Sequence, residues 1–358
     1  MIDNTKTDSG QGKTELQSLQ ILRALAAVSV VYYHVTARPN FGSFGVDIFF
    51  VISGFVMAMI VTNGQGACEF ATRRLARIAP LYWALTTFLL IIAWLAPDIL
   101  NSTTVDFKNY AKSLFFVPYF KEDGSLRPML AVGWTLNYEM FFYLSIWLSL
   151  LLAKRFCLQL SSMLILAAFV YAGHFGEDRL IATFFRNAQL LEFVMGMMAF
   201  KLWELHSQPI FPARVTIALV FASYLFMAFA ETFELKLNGL LIYGLPSFLL
   251  LMSMLNLEKN FTNRPCWAIR FCTNMGDASY ATYLSHYYVV ELVRKVGFQK
   301  FNLINPYAPS GVALIVLTSL LVGHLLYKWV DKPLTRYVKV RRAPTTNTPQ
   351  GAALLNQD

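Results

Sequence analysis

The sequence predicts an all-α polytopic membrane protein of about ten transmembrane helices, with both termini in the cytoplasm. Three observations lead there. Of the 358 residues, 56% are hydrophobic and only 14% charged, with a mean hydropathy of +0.48, too apolar for a soluble domain of this size. Several apolar runs reach the length that crosses a bilayer, and none alternates with a period of two, which excludes an outer-membrane barrel. Basic residues are asymmetric in the even-numbered topology: eighteen fall on the cytoplasmic side and eleven on the other. The net charge of +9 is then a topology signal, and nucleic acid is not expected as a partner.

In chain order, residues 1–15 are polar and read as a disordered cytoplasmic N-terminus, with no small-residue cleavage site after the apolar run that follows. The membrane domain is expected over 16–335, with helices near 17–36, 44–62, 79–96, 135–153, 157–173, 181–200, 213–230, 238–255, 278–297 and 309–329. The one long external connection, 97–133, contains Phe115, Phe116, Tyr119 and Phe120, which suits covering a site or binding an acceptor. Residues 336–358 read as a cytoplasmic tail. The four cysteines lie on or near the cytoplasmic side, so no disulfide is needed, and no metal-ligand spacing occurs. No internal repeat of the transporter kind is visible.

The first helix holds Arg23 and His34 within an apolar run. Eleven residues are three turns plus about 20°, so the two share a face about 16 Å apart along the axis. Ionisable groups at such depth are costly and mark function by default. Asp47 in the first turn of the second helix and Glu139 in the outer third of the fourth are expected at the depth of His34. A histidine with a carboxylate is the minimum set for base catalysis on a hydroxyl. An interfacial role for His34 and a capping role for Asp47 are the plainer readings of each residue alone.

Before the third helix stand Arg73, Arg74 and Arg77, which can clamp phosphate or simply orient the helix. Gln189 and Glu192 share a face of the sixth helix, and Ser279, Tyr283 and His286 a face of the ninth. Such stripes line a cavity or join helices through hydrogen bonds.

Arg23-x10-His34, Gly45-Val46-Asp47-Ile48-Phe49-Phe50, Arg74-x-x-Arg77, Gly133-Trp134-Thr135-Leu136-Asn137-Tyr138-Glu139 and Ser279-Tyr280-x-x-Tyr283-Leu284-x-His286 occur in order between Leu19 and Pro333. Together they resemble the membrane acyltransferase-3 family, and the opening and the Trp134–Tyr143 segment its exopolysaccharide O-acetyltransferase, ExoZ-like branch. The resemblance implies a bacterial inner-membrane enzyme that takes an acetyl group from cytoplasmic acetyl-CoA, without a metal. The group passes to a hydroxyl of a polysaccharide or lipid-linked oligosaccharide. It further implies a catalytic His34 and a need for Arg23, Arg74 and Arg77; from the residues themselves, Asp47 or Glu139 is expected to orient His34, and Arg73, Arg74 and Arg77 with Arg23 to form the donor site. Trp134, Glu192, Tyr283 and His286 are expected to line the acceptor side. Asp331-Lys332-Pro333 departs slightly from relatives that carry Glu before Lys-Pro. The rival reading is a transporter or lipid-linked sugar flippase that uses the same polar cavity.

Overall fold

Helix α1 (Gln17–Val35) runs beside α2 (Gly45–Thr62) and α13 (Ser279–Leu292), and these three carry half of the polar residues singled out above. The computed structural model describes residues 16–36, 41–96, 106–175, 178–206, 208–263, 266–301, 303 and 305–335. The expected disordered N-terminus, the cytoplasmic tail and positions 97–105 of the external connection lie outside the described residues. The remaining helices are α3 (Ala67–Leu95), α4 (Phe107–Leu114), α5 (Trp134–Ala153), α6 (Cys157–Phe175), α7 (Arg179–Phe185), α8 (Gln189–Leu205), α9 (Ala213–Thr232), α10 (Leu245–Asn256), α11 (Glu258–Asn263), α12 (Trp267–Asp277) and α14 (Pro309–Leu326).

Among the described residues, six helical stretches are long and apolar enough to cross a membrane. One of these, Ala131–His174, holds both α5 and α6. The protein is therefore a helical, multi-pass membrane protein. Side chains such as Trp94 and Leu152, 72% and 75% exposed, face outward as lipid-facing residues do.

Three departures from the sequence expectation matter for the site. Helix α3 begins at Ala67, twelve positions before the expected 79, so Arg73, Arg74 and Arg77 lie inside a helix and not ahead of it. Pro80 within α3 has no amide hydrogen, which leaves the Ala76 carbonyl without its usual donor. Nearby, the Tyr280 hydroxyl donates to the Ile78 carbonyl (2.6 Å) and the Tyr288 hydroxyl to that of Leu85 (2.6 Å), so α13 is hydrogen-bonded to the α3 backbone on both sides of the proline. The expected helix 181–200 is divided into α7 and α8 around Arg186–Ala188, where the Asn187 side chain takes the amide of Gln189. The amphipathic helices α4 and α12 fell outside the ten expected runs because their apolar residues form one stripe, not a continuous run.

Helix α2 packs closely on α8. A Cβ built on Gly54 would sit 2.1 Å from the Phe193 carbonyl oxygen, and one on Gly196 2.1 Å from that of Val51. Only hydrogen at both positions lets the backbones approach this closely. The same contact stacks Phe193 between Phe50 (4.6 Å between centroids) and Phe142 (4.4 Å).

Candidate active site

A cavity of about 280 Å³ opens between α1, α2, α3, α5 and α13. Its polar lining is Arg23, Ser53, Arg74, Arg77, Thr135, Glu139, Tyr143, Ser279, Tyr280 and Tyr283. Five helices thus bring to one place residues that lie up to 260 positions apart. The Nε atoms of Arg23 and Arg74 are buried here and make no hydrogen bond among the described residues. Buried guanidinium groups with unclaimed donors are suited to receive an anionic or carbonyl-bearing guest.

Arg77 is differently placed. Its Nη1 donates to Asp331 Oδ2 at 2.6 Å, and its guanidinium lies 5.3 Å from the Tyr280 ring centroid. A π-helical turn, Tyr327–Asp331, follows α14 and carries this aspartate, whose side chain is 4% exposed. Arg73, on the exposed flank of α3, pairs with Glu69 one turn earlier and does not line the cavity. The three arginines expected to act together are thereby given three different surroundings.

Glu139 belongs to the cavity. Its Oε1 accepts from Ser53 Oγ (3.1 Å) and from the Tyr143 hydroxyl. Asp47 does not join it. Asp47, 4% exposed, and Glu192, 1% exposed, lie together between α2 and α8, and Gln189 Nε2 donates to Asp47 Oδ1 at 3.2 Å. The expected convergence of Asp47 and Glu139 on His34 is not formed, because each carboxyl is engaged elsewhere.

His34 meets a second histidine instead. His286 Nε2 lies 3.3 Å from His34 Nδ1, which is itself 2.9 Å from the Val30 carbonyl oxygen. His286 is wholly buried and its Nδ1 faces the Thr282 carbonyl at 3.3 Å. The Arg294 guanidinium donates to the carbonyls of His34 (2.6 Å) and Val35 (3.2 Å), closing the C-terminal end of α1. Tyr283 stands between this pair and the cavity: it lines the cavity, its ring centroid is 5.9 Å from that of His286, and its hydroxyl donates to the Val132 carbonyl (2.8 Å). Trp134 packs edge-on to Phe50 and Tyr138 and lines no part of the cavity.

The sequence alone gives no role to Ser53, Tyr143, Tyr280, Arg294 or Asp331. Tyr143 was within reach, since it follows Glu139 by four residues on the same helical face. Arg77 and Asp331 are 254 positions apart, and one sequence carries no signal that pairs them.

A multi-pass helical bundle enclosing a cationic polar cavity defines the class: a membrane protein with an internal binding site. Residues 16–326 match the acyltransferase domain family, and the chain belongs to that family. It is 33% identical over 303 residues to the exopolysaccharide production protein ExoZ of Rhizobium meliloti, an alignment covering 84% of this chain and 92% of that protein. It is 26% identical to the putative membrane-bound transacylase BcsY of Komagataeibacter xylinus (96% and 88% covered). It is also 24% identical to the putative peptidoglycan O-acetyltransferase YrhL of Bacillus subtilis, of which the aligned region spans 55%. No solved structure matches the chain.

Proposed function

We propose that this protein transfers an acetyl group from cytoplasmic acetyl-CoA to a hydroxyl of an extracytoplasmic or lipid-linked polysaccharide, acting in the bacterial inner membrane. In this reading the chain crosses the bilayer ten times and both termini are cytoplasmic. One observation carries the reading: a single helix, α1, presents Arg23 to the cavity and, about 16 Å further along, His34 outside it. Donor and acceptor sides are thus two levels of one helix. The likeness to a protein named for exopolysaccharide production and to one named as a peptidoglycan O-acetyltransferase supports a polysaccharide acceptor.

The residues suit the donor. Arg74 and Arg23, with unclaimed Nε–H groups, would hold its phosphate and carbonyl oxygens, and Arg77 would share its charge between Asp331 and the donor. The cavity is too small for a whole CoA, so the nucleotide would stay at the Arg74 end while the slender pantetheine arm enters. Glu139 faces Arg23 across the cavity as its counter-charge. The acyl carbon would arrive beside His34 past Tyr283. Either His34 takes the acceptor hydroxyl proton as the oxygen attacks the acyl carbon, the C–S bond breaks and the departing CoA thiolate receives that proton, or His34 attacks first, CoA leaves as its thiol, and the acceptor hydroxyl then displaces the acyl group from His34. Trp134 and Glu192 keep supporting positions behind the acceptor side, in the aromatic and carboxyl contacts already described.

Replacing His34 by Ala should abolish acetylation of the acceptor by purified protein while donor binding, measured by calorimetry, stays within about threefold. Transfer retained in that variant overturns the assignment. Acetylation by the purified wild type also separates this reading from transport.

A further inference from the structure

The contact between the two histidines plays no part in the reaction as outlined, and its geometry assigns protons. A carbonyl oxygen can only accept, so the imidazole nitrogen that faces one carries hydrogen. His286 Nδ1 faces the Thr282 carbonyl, so in the neutral ring His286 Nε2 is a lone pair. That lone pair is directed at His34 Nδ1, 3.3 Å away. His34 Nδ1 also faces a carbonyl, that of Val30, and so carries hydrogen. The remaining nitrogen, His34 Nε2, is left with its lone pair and makes no hydrogen bond among the described residues.

We propose that His286 is a positioning residue for His34: with the Val30 carbonyl it holds the Nδ1–H and presents Nε2 as the reactive nitrogen. The inference rests on the reading of His34 as the reactive group, and it replaces the acceptor-lining role expected for His286. Val30 lies one turn before His34 on the same helix and fixes only a local bond. His286 comes from α13, so rotating the ring by 180° about its Cβ–Cγ bond breaks two hydrogen bonds and not one. A histidine does here what a carboxylate does in the familiar triads, but as a neutral acceptor. Asp47 and Glu139 are not needed for the task, which fits their hydrogen bonds with Gln189 and with Ser53 and Tyr143. On either route Nε2 makes the new bond, to the hydroxyl proton or to the acyl carbon, while the Nδ1–H stays on its two acceptors.

The test uses the full chain in nanodiscs, with His286→Leu and His286→Gln. A glutamine can place its amide oxygen where Nε2 stands. Loss of the acceptor in His286→Leu should lower kcat about 10–100-fold, as loss of a histidine's supporting partner does, with the donor KM within about twofold. Glutamine should return kcat to within about threefold of wild type. Solid-state NMR of ring-labelled histidine, with His34 assigned through His34→Gln, should show His34 protonated at Nδ1 in the wild type. A His34 protonated at Nε2, or full kcat in His286→Leu, overturns the proposal. Should His286→Leu fail to fold, the glutamine variant and the wild-type spectrum still decide. If instead His34→Ala retained transfer, the reading of His34 would fall while the spectrum stood, so the two failures are distinguishable.

Discussion

Removing the carboxylate of Asp331 tests whether Arg77 serves chiefly the donor or the fold. The pair is close (2.6 Å), and its members are unequally buried, 25% and 4% exposed at the side chain. Breaking a largely buried ion pair by deleting one partner costs about 3–5 kcal/mol, because the remaining charge is left uncompensated. Asp331→Asn keeps the size and one acceptor oxygen, so its cost should lie at the low end, about 3 kcal/mol. With an unfolding entropy of about 2.1 cal/mol/K per residue, a chain of 358 residues loses about 4 °C in Tm for 3 kcal/mol and about 7 °C for 5 kcal/mol. The π-helical turn Tyr327–Asp331 should loosen with it.

The consequence for donor binding has the opposite sign. If Arg77 binds a donor phosphate as proposed, Asp331 competes with it, and neutralising Asp331 frees a full positive charge at the cavity edge. Asp331→Asn should therefore leave donor affinity unchanged or raise it up to tenfold, whereas Arg77→Ala should weaken it while also lowering Tm. Thermal unfolding by nanoscale fluorimetry and calorimetric titration with a non-hydrolysable acyl-CoA analogue read the two effects apart. An Asp331→Asn protein with unchanged Tm, or with donor affinity reduced as far as by Arg77→Ala, would refute the reasoning.

Two further perturbations bear on the framework. Gly54→Ala puts a methyl 2.1 Å from the Phe193 carbonyl, where backbone and not a flexible side chain must yield; the α2–α8 crossing should open and folded yield, read by fluorescence-detected size exclusion, should fall severely, whereas Gly66→Ala, with nothing within 4 Å, should leave it unchanged. Glu258→Ala removes the carboxylate that accepts from the Gln17 and Ser18 amides (2.9 and 2.8 Å) at the start of α1 and should cost about 1–2 kcal/mol, measured as a Tm decrease with donor KM unaltered.

Much of the architecture is legible in the sequence because length and hydropathy decide it: α1, α2, α5, α6 and α9 fall within a few residues of their expected bounds. Arg23, Arg74 and Arg77 line one cavity. What depth along a helix cannot convey is the direction a side chain faces across the bundle. Asp47 and Ser53 both lie on α2, but six residues turn the helix by about 600°, so they point about 120° apart. The face with Ser53 meets Glu139, and the face with Asp47 meets α8, where Gly54 and Gly196 draw the two helices together. Depth alone predicted Asp47, Glu139 and His34 in one cluster; rotation about the axis distributes them over three. His286 was read as part of a cavity wall for the same reason, since nothing in the Ser279–His286 stripe says which neighbour it faces.

The ends of α1 bear on how the acyl group covers the distance from Arg23 to His34. A carboxylate, that of Glu258, receives the first free amides, and a guanidinium, that of Arg294, receives the last carbonyls. Each charge complements the helix dipole at its own end, worth about 0.3–1 kcal/mol beyond the hydrogen bonds themselves. Between them the helix contains neither proline nor glycine, and most of its inward side chains are buried. Such a helix is a strut: sliding or kinking it would break a charged cap at one end without replacing it. Arg23 and His34 are therefore held about 16 Å apart throughout the cycle. In the proposed reaction that gap would be crossed by the donor itself, whose long, slender pantetheine arm suits a rigid α1. On the proposed path Tyr283 would be the element that yields, since its hydrogen bonds to the Val132 carbonyl and Thr135 Oγ1 could exchange with those of an arriving thioester.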